Sequence, residues 1–125
     1  MQINLLVGWA AILAGITAGM VTGMFFHKED YLGGYGSWSR RLVRLGHISF
    51  LGLGLLNICY ALTADSTTIP SDTELSSVLL IVGAVTMPTV CYLSSWREGF
   101  RNLFAIPVIS ILVGVAYFLW GLVSN

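Results

Sequence analysis

Charge is the scarcest commodity in this 125-residue chain: six Lys or Arg and six Asp or Glu amount to 10% of the residues. A soluble domain carries roughly 25% charged residues, and twelve charges are too few to cover a soluble surface of this size. No long basic run exists, which excludes a nucleic-acid-binding domain, and two cysteines cannot make a disulfide scaffold. Proline is rare, with three in the chain. The motifs of common catalysis are missing as well: there is no CxxC, no HExxH, no phosphate loop and no Ser-His-Asp set. No enzymatic activity is expected.

What remains is apolar: 56% of the residues are hydrophobic, and mean hydropathy is +0.82. A helix needs about 20 mostly apolar residues to cross a bilayer. Four stretches meet that length, at about 3–26, 42–62, 75–96 and 103–123. Backbone groups in lipid must pair internally, so the spans are helices or barrel strands. Runs this long and continuous argue for helices, since barrel strands alternate over about 10 residues. The expected fold is a single transmembrane domain, 1–125: an all-α integral membrane four-helix bundle with short loops. The first span has no basic leader and is too long for the core of a signal peptide, so it reads as retained.

The few charges are sorted. Lys28, Arg40, Arg41, Arg44, Arg97 and Arg101 all lie in or beside the first and third connections. The second connection holds Asp65 and Asp72, with Glu74 just after, and no base. The positive-inside rule then puts connections one and three in the cytoplasm and both termini outside. The expected location is a bacterial inner membrane or an equivalent one. Aromatic side chains at both ends of the spans fit interfacial anchoring, and Tyr31 to Trp38, rich in glycine, reads as a bent loop on the inner membrane surface.

The first span carries Ala11, Gly15, Gly19 and Gly23 at four-residue intervals, with Ala10, Ala14, Ala18 and Thr22 beside them. Small residues let helix backbones approach closely, so this row is an expected interface, within the chain or with another subunit. Pro88 should kink the third span and leave the Ala84 carbonyl without its donor, with Thr86 or Thr89 on hand to satisfy local backbone groups. Pro107 should fall in the first turns of the fourth span, where proline costs little.

Ionisable groups inside a membrane are functional candidates by default. No Asp or Glu lies within a span core, which weakens a proton-coupled carrier. Arg40, Arg44 and His47 share a face of the second span, and that face continues through Gly54, Asn57 and Ala61. An imidazole there could ligate haem iron, and the arginines could pair with haem propionates or anionic lipid phosphates. His27, Met20 and Met24 on the first span and Met87 and Cys91 on the third offer sulfur and nitrogen to a metal such as Cu(I). Cys59 and Cys91 lie too far apart in depth for a disulfide.

The expected function is an accessory or structural subunit of a larger, plausibly bioenergetic membrane complex. Its partners would be lipids and other membrane subunits or further copies of the chain, with no nucleic acid. A small electron-transfer protein binding haem b or a metal through His47 is one alternative. A small-solute channel using Asn57, Thr86, Thr89, Ser94 and His47 is the other.

Overall fold

The computed structural model describes residues 2–25, 34, 36–67 and 73–124. Four long helices follow one another: α1 (Gln2–Phe25), α2 (Trp38–Ser66), α3 (Thr73–Trp96) and α4 (Ala105–Val123). A short 3-10 segment, Glu98–Phe104, leads into α4. All four helices are long and apolar enough to cross a membrane. The chain is an all-α, four-helix integral membrane protein.

The spans fall close to their expected limits, except that α2 is longer at both ends. Its start is fixed by chemistry that hydropathy does not register. The Ser37 hydroxyl caps the helix by accepting from the Arg40 amide at 3.2 Å. The Trp38 indole then donates to the Ser94 carbonyl at 3.0 Å, and the Ser39 hydroxyl donates to the Ser95 carbonyl at 2.6 Å. These bonds tie the beginning of α2 to the end of α3. The first and third connections therefore emerge at one end of the molecule, here called the basic end, and Asp65 and Glu74 lie at the other.

The helices form an open row. α1 packs along α2, α2 along α3, and α3 along α4. Among the described residues, α1 and α4 do not pack along each other. The two central helices hold the interior, where Tyr60, Ala64 and Leu80 are buried together, with Leu56, Ile111 and Phe118 against them. The Tyr60 and Phe118 rings meet edge to face at 4.7 Å between centroids, an arrangement favoured by the ring quadrupoles.

Glycine sets the spacing at each junction. A Cβ on Gly8 would stand 2.7 Å from the Gly54 carbonyl, and one on Gly54 would stand 2.8 Å from that of Gly8. The α1 and α2 backbones touch there, with nothing between them. Gly46 receives the Tyr92 ring between α2 and α3, and Gly83 receives Ile111 between α3 and α4. Lipid supplies little hydrophobic drive between helices, so packing of this closeness is what holds them. Pro88 lies inside α3, buried, without ending it. The neighbouring threonines bond local backbone carbonyls: Thr86 donates to Val82 and Thr89 to Val85. Each hydroxyl reaches the carbonyl four residues before its own position. Pro107 sits in the first turn of α4, as its spacing predicts.

Candidate functional site

The small-residue row of α1 and the polar stripe of α2 face each other. Ala11 and Gly15 are buried, with Gly15 against Phe50 and Leu51. Gly19 meets His47, and a Cβ on Gly19 would lie 2.3 Å from Nε2 of that ring. The row therefore serves an interface within the chain along most of its length. Gly23 is the exception: among the described residues nothing stands within 4 Å of where its Cβ would be.

That vacancy opens a groove at the basic end. It has a volume of about 170 Å³ and is lined by Gly19, Thr22, Gly23, Val43, Arg44 and His47. Val43 is buried and forms part of the floor. The Thr22 hydroxyl is turned back on its own helix, donating to the Ala18 carbonyl at 2.8 Å. Among the described residues none gives His47 a hydrogen bond or an ion pair. Arg44 is half-buried at the groove, while Arg40, four residues earlier, is buried and does not line it. Of the expected Arg40–Arg44–His47 trio, Arg44 and His47 share the groove.

The groove bears on the haem reading in two ways. The Nε2 vertex, which an axial ligand would present to iron, faces the α1 backbone at Gly19. Its volume of about 170 Å³ also falls below the roughly 300–1,000 Å³ of pockets that enclose drug-sized ligands and cofactors. The geometry suits a smaller group.

The sulfur set does not converge. Met20 and Met24 are 63% and 65% exposed on the outer side of α1, whereas Cys91 is wholly buried against Gly46. Met87 is half-buried on α3. His27 lies outside the described residues, as do Lys28, Tyr31 and Asp72. Among the described residues no three His, Cys, Asp or Glu side chains stand together as a metal would require. Both described cysteines are free thiols. The channel pieces are scattered too. Thr86 and Thr89 line a separate apolar groove between α3 and α4 with Val85, Val90, Leu93 and Ile106.

A polar centre that the spacing of charges does not reveal lies toward the other end. Asn4, Asn57 and Ser77, one from each of α1, α2 and α3, are buried together. The Asn4 amide donates to Asn57 Oδ1 at 2.8 Å and to the Ser77 carbonyl at 3.4 Å, and it accepts from the Ser77 hydroxyl. The Asn57 amide donates to the Leu53 carbonyl at 2.9 Å and the Leu80 carbonyl at 3.3 Å. All four amide N–H bonds are thereby used, which is what a buried carboxamide needs to offset its desolvation. Asn57 belongs to the stripe read from the sequence; Asn4 and Ser77 do not. The signal for Asn4 was its polarity in an otherwise apolar run, since such a group in a span must find a partner.

Comparison with known proteins returned no matching family model, no curated relative and no solved structure of similar fold.

Proposed function

We propose that the chain is a non-enzymatic accessory or structural subunit of a larger membrane complex, and that it holds lipid at its basic end. The observation that carries this reading is the open row. α1 and α4 are the flanking helices, and in the membrane-spanning window of each only 17% of the residues are buried within the chain. The outward side of α1 presents Leu6, Trp9, Leu13, Ile16 and Met20, all more than half exposed. Their spacing of three and four residues is that of a seam which interlocks with a second helix. The interior, by contrast, holds its own polar groups: the Asn4 and Asn57 amides are satisfied by neighbouring helices and by α2 itself.

The location follows from charge. Arg40, Arg41, Arg44, Arg97 and Arg101 stand at one end with Glu98, and Asp65 and Glu74 at the other. The positive-inside rule places the basic end in the cytoplasm and the termini outside.

The test is native mass spectrometry of the chain released from its own membrane in mild detergent, with a photo-crosslinking residue at Leu13. A second membrane polypeptide in fixed ratio, crosslinked from Leu13, is the expected result. A free monomer with no adduct would refute the reading.

A further inference from the structure

We propose that the groove between α1 and α2 is a binding site for the phosphate headgroup of an anionic phospholipid, held by Arg44 and His47. The proposal rests on the lipid-binding part of the reading above and names its site.

Depth comes first. α2 has 29 residues, which at about 1.5 Å each make roughly 43 Å, against about 30 Å of hydrocarbon. The excess puts about four residues beyond the hydrocarbon at each end. Arg44 is the seventh residue of the helix, about 4 Å below that boundary and within reach of the headgroups through its long side chain, with His47 one turn deeper.

Chemistry comes second. His47 has no hydrogen-bond partner among the described residues, although its ring lines the groove. An imidazole N–H near hydrocarbon cannot turn to bulk water, and leaving it unmade is costly. With Nε2 turned to Gly19, the Nδ1–H tautomer leaves a donor for a phosphate oxygen. Arg44 carries five donors in a fork that matches a phosphate, so it can serve a lipid while engaging another group. Thr22 contributes no donor, because its hydroxyl is committed to Ala18 and Gly19. Among the described residues that line the groove, the one charged side chain is Arg44, and its positive charge favours an anionic lipid over a zwitterionic one.

Access comes third. The space beside Gly23 is open, and the volume of about 170 Å³ admits a headgroup fragment while the acyl chains stay in the bilayer.

The experiment uses the delipidated full chain in detergent, with native mass spectrometry as phosphatidylglycerol or phosphatidylcholine is added stepwise. One phosphatidylglycerol should bind per chain, at least about fivefold more tightly than phosphatidylcholine. Gly23→Leu, whose Cβ meets nothing within 4 Å among the described residues and whose longer side chain fills the groove, should weaken that binding by a similar factor, as should Arg44→Gln. Arg101→Gln, exposed and away from the groove, should leave it unchanged. The nitrogen resonances of His47 should move with phosphatidylglycerol and not with phosphatidylcholine. Equal binding of the two lipids, or full retention by Gly23→Leu, overturns the proposal. So does complete displacement by inorganic phosphate, which marks a soluble anion, or by added haem with a Soret band. Because this is read on the isolated chain, its failure is separate from a failure to find partner subunits in the membrane.

Discussion

The Asn4 side chain donates to Asn57 Oδ1 at 2.8 Å across the α1–α2 interface, with both residues fully buried. In hydrocarbon this bond has no competitor from water. It also works as a register pin, because sliding α1 by one turn along α2 would strand two amides.

Breaking the pin should cost stability. Asn57→Ala and Asn4→Ala are each expected to destabilise the fold by about 1–2 kcal/mol, the range of buried interhelical hydrogen bonds in membranes. Their effects should not add, with a coupling of about 0.6–1.7 kcal/mol in a double-mutant cycle. Reversible unfolding in mixed micelles measures both.

Two adjacent serines provide an internal control. Ser77 donates to Asn4, while the hydroxyl of Ser76, also buried, has no partner among the described residues. Ser77→Ala should cost about 1 kcal/mol, because Asn4 Oδ1 loses its donor. Ser76→Ala should be neutral or slightly stabilising by the same unfolding measurement.

Gly19 and Gly23, one turn apart, should differ sharply. Gly19→Ala places a methyl 2.3 Å from the His47 ring and forces it to move. The expected cost is about 1–3 kcal/mol, with a displaced His47 ring resonance. Gly23→Ala meets nothing and should leave both unchanged.

Gly83 and Ile111 should show compensation. A Cβ on Gly83 would stand 2.2 Å from Ile111 Cγ1. Gly83→Ala alone should destabilise the α3–α4 junction, and Ile111→Ala added to it should recover part of the loss. A double mutant no more stable than Gly83→Ala would show that the obstruction lies elsewhere.

The cysteines should react in order of exposure. Cys59 is exposed and Cys91 is wholly buried. A membrane-permeant maleimide should label Cys59 in the folded chain and Cys91 only after unfolding, as mass spectrometry of labelled peptides would show.

Much of the architecture was legible without coordinates. The four spans and the confinement of the bases to the first and third connections follow from hydropathy and charge alone, because the bilayer imposes length and sign on any chain that crosses it. The row Ala11, Gly15, Gly19 and the stripe His47, Gly54, Asn57 were legible as faces, since helical periodicity is a local property. Which faces would meet was not. Periodicity is silent about partners, so the same row served equally well as an interface with another subunit. Tertiary packing decided that it closes on α2, that Met20 and Met24 turn outward, and that Arg44 rather than Arg40 lines the groove with His47. It also drew Asn4 and Ser77, 73 positions apart, into one buried centre, because an amide in hydrocarbon is stable only where another helix brings it a partner.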